Sequence, residues 1–323
     1  MKNLAIITGG NSAEQEISIA SSKQVISSID KNKYNAIIIE IKNNNWNAIF
    51  NENKIQINKK DFTLVVDSKK INFDYVFMAL HGPPAENGKI QQYFDELNIP
   101  YSCCGAKISA ITFNKSTCNK ELRKLGFNCP KSISYKINED YNVKDIVENI
   151  GLPCFIKPNE SGSSFGISKV KTENQISKAI STALSFDNSF IIEEFIDGIE
   201  VSCSVFKINN KIDTLPITEI VSHNEFFDYD AKYNGLSEEI TPARIDTKIS
   251  SKVKEISKEI YRKINLRGVC RIDYIIMNDI VYIIEINTIP GLSKESIVPK
   301  QIKTANISLS VFFNNWIEST LNK

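Results

Sequence analysis

The sequence predicts an α/β protein, with a doubly wound parallel sheet first and α+β blocks towards the C-terminus. Two observations lead there. The chain opens on a strand, glycine turn, helix, strand succession, and its later strands are interleaved with helices that carry apolar stripes. Leu4 to Thr8 is a short apolar run ending at Gly9-Gly10, and Ile17, Ala20, Val25 and Ile29 then recur at near-helical spacing. Ala36 to Ile41 and Tyr75 to Leu80 are further buried-strand candidates. Strands joined through a helix imply a parallel sheet, whose ligands sit at the carboxyl ends of the strands. Those ends carry Gly9-Gly10 with Glu14 and Glu16, and His81-Gly82.

From Tyr101 to Phe195 the pattern changes. A helix near Lys115 to Leu125 precedes a strand ending at Lys157 and a Gly/Ser-rich loop over residues 159–166. Ile176, Ala179, Ile180, Ala183 and Leu184 form one helical face, and Phe190 to Ile196 reads as a strand. The last block holds a strand from Val201 to Ile208 and a polar, aromatic stretch from Ser222 to Pro242. A helix striped by Ile249, Val253, Ile256, Ile260 and Ile264 follows. The strand pair Ile272–Met277 and Val281–Ile286 precedes a closing helix with Leu309, Phe312, Phe313, Trp316 and Ile317 aligned. The expected domains are 1–102, 103–195 and 196–323.

Composition narrows the function. A chain of 323 residues suggests two or three domains, and 42% hydrophobic with 24% charged residues is ordinary globular material. A net charge of +1 gives no field to draw the chain onto nucleic acid or an anionic membrane. The abundance of Lys, Ile and Asn reads as a compositional bias without functional content. Seven cysteines without a CxxC pair favour neither a zinc site nor a disulfide framework, so reduced thiols in the cytoplasm are expected. The vicinal Cys103-Cys104 pair is expected to fill core. MKNLAIITGG starts a strand at once, leaving no room for a signal peptide, and no apolar run spans a bilayer.

The chemistry concentrates near the C-terminus. Asp273, Glu285 and Asn287 are the oxygen donors that hard cations such as Mg²⁺ take. Strand residues alternate faces, so Glu285 and Asn287 share one. Asp273 joins them only in some registers. A two-residue Asn278-Asp279 turn pairs it with Ile284 and sends the carboxylates to opposite faces; a loop of three or five residues pairs it with Glu285. Arg271 emerges on the face of Asp273, suited either to phosphate and oxyanion stabilisation or to a structural ion pair. After the strand, Asn287-Thr288-Ile289-Pro290-Gly291 makes a turn whose Gly291 N–H can face an oxyanion.

RIDY and YIIEINTIPGL resemble the C-terminal signature of the ATP-grasp ligases, and within them the D-alanine–D-alanine ligase family. The resemblance runs in order along nearly the whole chain. It implies an ATP-grasp fold behind an N-terminal Rossmann-like domain. It makes Asp273, Glu285 and Asn287 the ligands of two Mg²⁺ (or Mn²⁺) on ATP, with Arg271 and Gly291 flanking the tetrahedral intermediate. GGNSAEQEISIASS is similar to the family's first-substrate element and implies that Glu16 takes the ammonium of the first D-alanine. From residues alone the same segment is a glycine turn opening a helix, with Ser12 as N-cap and Gln15 completing a capping box. ALHGPPAENGKIQ resembles the stretch that places His81 and Glu86 beside that substrate; a structural histidine remains the alternative.

Lys115 and Lys157 match the family's lysines on the ATP phosphates, and Ser161 to Gly166 resembles its phosphate lid, with Ser163 and Ser164. IIEEFIDGIEVS resembles the nucleotide hinge: Glu193, Glu194 and Ile196 would line the base, and Glu200 would take the ribose hydroxyls. In FFDYDAKY, Lys232 would reach the γ-phosphate and Tyr233 would join Glu16 and Ser163 over the first substrate. Relatives that make D-alanyl-D-lactate lack that tyrosine, so Tyr233 implies an amine acceptor. Ser296 and Ile297 match the second D-alanine site, beside which Glu295 must point away. The implied activity is ATP-dependent joining of two D-alanines through an acyl phosphate for peptidoglycan synthesis, by a cytoplasmic homodimer.

Three alternatives stand beside it. Another acceptor, D-lactate or D-serine, would use the same site. A catalytically silent nucleotide-binding protein would not need the full Arg271, Asp273, Glu285 and Asn287 set. A nicotinamide enzyme would need G-x-G-x-x-G, which is absent.

Overall fold

A computed structural model describes residues 1–11, 14–51, 53–222 and 237–321. Three main sheets organise them. The first has the strand order Asn53–Gln56, Asn45–Phe50, Tyr34–Lys42, Lys2–Gly9, Tyr75–Met78. Its last three members run parallel, with Leu4 opposite both Ala36 and Tyr75. Lys2–Gly9 lies between two partners and is buried from Leu4 on, as expected of a strand covered on both faces. Gly9 cannot be replaced without strain: its φ is +98°, and a Cβ there would stand 2.3 Å from the Ile41 carbonyl oxygen.

The parallel core is the one the sequence predicts, but the sheet is mixed. Asn45–Phe50 and Asn53–Gln56 add antiparallel strands at one edge, and a separate hairpin, Thr63–Val66 with Lys69–Asn72, fills the crossover to Tyr75–Met78. Asparagine, set aside above as compositional bias, makes these turns possible. Asn43 and Asn51 adopt positive φ here, as do Asn209, Asn210 and Asn278 elsewhere. The first helix, Gln15–Ser28, begins without a side-chain cap: Glu14 occupies the N-cap position and makes no capping bond. The expected capping residue Ser12 lies outside the described residues.

The second sheet is antiparallel, in the order Ser168–Val170, Cys154–Pro158, Ser189–Glu194, Ser132–Lys136. Helices Val143–Ile150 and Ile176–Leu184 bury Ile146, Ile176, Ile180 and Ala183 on one core with Ile156 and Phe190. The third sheet has six strands, with Ile199–Ile208 between Thr218–Ser222 and Val269–Met277, and Ile280–Asn287 beyond. Helix Thr247–Lys263 covers it through Ile249, Val253 and Ile260, on the stripe the sequence marks. Helix Leu309–Leu321 returns to the first sheet, where Phe313 and Trp316 pack near Leu4, Ile6 and Phe77. All seven cysteines are free and buried, including Cys103 and Cys104. Among the described residues no helix is long and apolar enough to cross a membrane.

Candidate active site

The hairpin Val269–Met277 and Ile280–Asn287 resolves the register question in an unforeseen way. Its turn is the two-residue one: Met277 pairs with Ile280, and Asn278 and Asp279 have φ of 49° and 61°. Left regular, that ladder would separate the carboxylates. It does not stay regular. Tyr274 pairs with Ile283, then a bulge makes Ile284 an extra residue, and Asp273 pairs with Glu285. One inserted residue inverts the face of all that follows, which brings Glu285 and Asn287 onto the face of Asp273 and Arg271.

Asp273 is 5% exposed and fully engaged. Arg271 donates Nε to its Oδ1 at 2.9 Å and Nη2 to its Oδ2 at 2.8 Å. Asn287 Nδ2 donates to Asp273 Oδ2 at 3.1 Å, and Ser202 Oγ donates to Oδ1 from the neighbouring strand. Glu285 Oε1 lies 3.9 Å from Arg271 Nη2. Arg271 thus makes the structural ion pair and also lines a cavity.

Two cavities meet over this platform. The one of about 410 Å³ lies between the second and third sheets; the other, of about 520 Å³, lies towards the first sheet. Both are lined by Lys115, Ser161, Gly162, Ser163 and Glu285, so one wall is shared.

The smaller cavity holds the residues expected around a nucleotide: Lys157, Ser164, Glu193, Glu194, Ile196, Glu200 and Asp273. Their side chains are tied to one another. Lys157 Nζ sits 2.7 Å from Glu193 Oε2, and Asn119 Nδ2 donates to Glu193 Oε1 at 2.6 Å, all three residues being buried. Glu194 Oε1 accepts from the Lys131 N–H. The acids therefore brace the cavity rather than point freely into it. Phe155 and Phe195 face each other at 5.9 Å, with Lys169 Nζ 3.8 Å over the Phe195 ring. Lys115 Nζ donates to the Ser161 carbonyl at 2.7 Å, holding the loop that carries Ser163 and Ser164 in left-handed backbone.

The larger cavity is lined by Glu14, Glu16, His81, Glu86, Gly291, Ser296 and Ile297 among others. Here the expectation for Glu16 needs correction. Ser163 Oγ donates to Glu14 Oε1 at 2.6 Å, across 149 residues of sequence, and Glu16 is exposed on the first turn of the helix. Glu14 precedes that helix and reaches across the gap. Gly162 permits the approach, because a Cβ there would stand 2.8 Å from Glu14 Oε2. Two acids two residues apart carried no sequence signal to separate them; only the helix start at Gln15 does.

His81 is buried and satisfied. The Ile289 carbonyl lies 3.0 Å from Nδ1 and can only accept, so Nδ1 carries the proton and Nε2 accepts from Ser21 Oγ at 3.2 Å. Burial holds its pKa below the ordinary 6.5. Ser21 Oγ in turn accepts from the Leu292 N–H, pinning the Gly291 turn to the first helix. Glu86 Oε1 is 4.0 Å from His81 Nδ1, and burial, then the charge of Glu14, pushes Glu86 up to about 8. Ser296 Oγ is 2.7 Å from Ser293 Oγ, and a Cβ on Gly291 would come within 2.7 Å of it. The Glu295 side chain, expected to point away, is 80% exposed and 3.9 Å from Lys300 Nζ, but it is also among the residues lining the larger cavity. Lys232 and Tyr233 lie outside the described residues. Sequence reasoning missed Asn119, Ser202 and Gln301, common polar residues within apolar strands and helices.

The chain matches the family model described as D-ala D-ala ligase N-terminus over residues 3–104, and that described as D-ala D-ala ligase C-terminus over 122–318. It is 47% identical to the D-alanine–D-alanine ligase of Flavobacterium johnsoniae, over 99% of this chain and 100% of that protein. It is 40% identical to that of Bacteroides fragilis, over 98% and 99%. Among solved structures it resembles a D-Ala:D-Ser ligase from Enterococcus faecalis, with a TM-score of 0.88, 32% identity and 99% of each chain covered. It also resembles a Bacillus anthracis D-alanine–D-alanine ligase complexed with ATP, with a TM-score of 0.80, 26% identity and 100% and 98% covered.

Proposed function

This chain belongs to the D-alanine–D-alanine ligase family, and we propose that it joins two D-alanines where its two cavities meet. The products are D-alanyl-D-alanine for peptidoglycan synthesis, ADP and phosphate. One observation carries the geometry: the wall formed by Lys115, Ser161–Ser163 and Glu285 belongs to both cavities.

A carboxylate resists attack because a nucleophile adds charge to an anion. ATP, as co-substrate in the smaller cavity, removes that obstacle. A carboxylate oxygen of the first D-alanine bonds to the γ-phosphorus, the bridging P–O bond breaks, and ADP leaves. The amine of the second D-alanine then attacks the acyl carbon, and phosphate departs with its electron pair. Lys115 and Lys157 place positive charge beside the phosphates, and Ser164 and its loop neighbours close over them. Glu194 and Ile196 offer backbone groups to the base, since the Glu193 and Glu194 carboxylates already have protein partners. Glu200 serves the ribose.

In the larger cavity Glu14, rather than Glu16, stands where the first ammonium would lie, bonded to Ser163; Tyr233 would complete that set, and Lys232 would reach the γ-phosphate. Ser296 and Ile297 receive the second D-alanine. Arg271 and the Gly291 N–H face the developing oxyanion.

Asp273, Glu285 and the Asn287 carboxamide would hold Mg²⁺ or Mn²⁺, and the bulge that gathers three hard oxygen donors on one face fits such ions. When bound, the metal supplies charge neutralisation on the phosphate oxygens. A homodimer in the cytoplasm completes the proposal.

The test is phosphate release with Mg²⁺ titrated. D-Alanine alone is expected to drive turnover, and addition of D-lactate or D-serine should yield little mixed product at neutral pH. Turnover that needs D-serine would move the chain to the other acceptor class.

A further inference from the structure

Asp273 is held from a second direction by residues that line neither of the two cavities. Ser202 stands opposite it across the strand pair, and its hydroxyl donates to Asp273 Oδ1. The Ser202 carbonyl accepts from Gln301 Nε2 at 3.0 Å. Gln301 is on helix Ile297–Thr304, one turn beyond Ile297, and that helix starts from Ser296 in the larger cavity. The same Nε2 lies 3.0 Å from Thr218 Oγ1, and Thr218 Oγ1 is 2.7 Å from Thr241 Oγ1. Ser202 and Gln301 are 0% exposed and Thr218 is 1% exposed. A buried polar thread therefore runs from the platform carboxylate to the helix that receives the acceptor.

Such a thread is costly in a core that aliphatic side chains would fill. Gln301 Oε1 has no hydrogen-bond partner among the described residues, so the amide is not fully compensated even locally. A packing role alone would be met by methionine or leucine.

We propose that Ser202 and Gln301 are positioning residues that fix Asp273 relative to the acceptor helix. They set the distance between the phosphoryl group being displaced and the amine that displaces it. The inference rests on the function proposed above. It adds a mechanical link between the two substrate sites, and a link of this kind requires evidence of coupling, not proximity alone.

Three variants test it, read by D-alanine kinetics, by calorimetry of Mn²⁺·ADP binding and by melting temperature. Ser202→Ala should weaken Mn²⁺·ADP about tenfold, the equivalent of one hydrogen bond to a charged group, and Ser202→Thr should restore it. Gln301→Met keeps length and burial while removing the amide. It should weaken Mn²⁺·ADP and also raise KM for the second D-alanine about fivefold, leaving KM for the first unchanged. A Gln301→Met protein that shifts only in melting temperature overturns the proposal. If that variant does not fold, the Ser202→Ala and Ser202→Thr pair decides alone, and equal Mn²⁺·ADP affinity in both overturns it. A wild-type protein that forms no dipeptide would instead overturn the proposed function.

Discussion

The two cavities share a wall but are built differently. Around the smaller one the charged side chains are fixed by neighbours on the same or adjacent strands or on the helix beside them: Lys157 by Glu193, Glu193 by Asn119 of helix Lys115–Lys124, Asp273 by Arg271 and Ser202. The larger one is assembled from distant stretches of chain, and Ser163 and Glu14 are bonded across its closure over the shared wall. The proposed nucleotide site is preorganised by sheet registers that form with the fold. The proposed amino-acid site is completed by loops, and so its residues are expected to change substrate affinity without changing stability.

The largest effect should come from the braced side. Glu193→Gln leaves the Lys157 ammonium buried beside a neutral partner. Breaking a buried pair from one side costs about 3–5 kcal/mol, which the melting temperature should report together with loss of ATP binding. A melting temperature within a degree or two of wild type would remove the contrast between the cavities.

On the assembled side the expected change is smaller and confined to kinetics. Glu14→Gln should raise KM for the first D-alanine about tenfold, with KM for ATP unchanged and the melting temperature at about pH 6.5 close to wild type. Glu16→Gln, on the exposed first turn, should change it less than about twofold. The reverse ranking would return the ammonium contact to Glu16.

How far these features were legible depends on which physics sets them. The stripe Ile249, Val253, Ile256 and Ile260 was readable because burial of one helical face imposes a 3.6-residue period. The residues of the proposed metal platform were readable because acids inside apolar strands are expensive without a role. Their register was not. The two-residue turn that sequence considerations counted against a shared face is present, and the bulge at Ile284 reverses its consequence. A bulge is a local accommodation between strands that no period announces. The choice between Glu14 and Glu16 failed for a similar reason, since it turns on where a helix begins to within one or two residues. The antiparallel edge of the first sheet was invisible because Asn45–Phe50 and Asn53–Gln56 are short, and half of their residues are Asn, Lys or Gln.

The smallest effect concerns protons in the assembled cavity. Glu86 ordinarily titrates near 4.5, but burial and then the charge of Glu14 raise it to about 8 in the folded protein. Between those values the unfolded chain has lost the proton that the folded chain keeps, so stability falls as pH rises through the window. His81, 4.0 Å away, acts in the opposite sense below 6.5: its folded pKa is depressed by burial, so the unfolded state gains a proton there first. The interval from about pH 6.5 to 8 therefore isolates Glu86. Glu86→Gln cannot titrate, and its melting temperature should decline less than that of wild type over this interval. Glu14→Gln removes the second cause of the raised value, so its decline should end at a lower pH than in wild type. Parallel melting curves for wild type and Glu86→Gln would mean that the Glu86 carboxyl is already ionised there, and that the larger cavity is wetter than its burial implies.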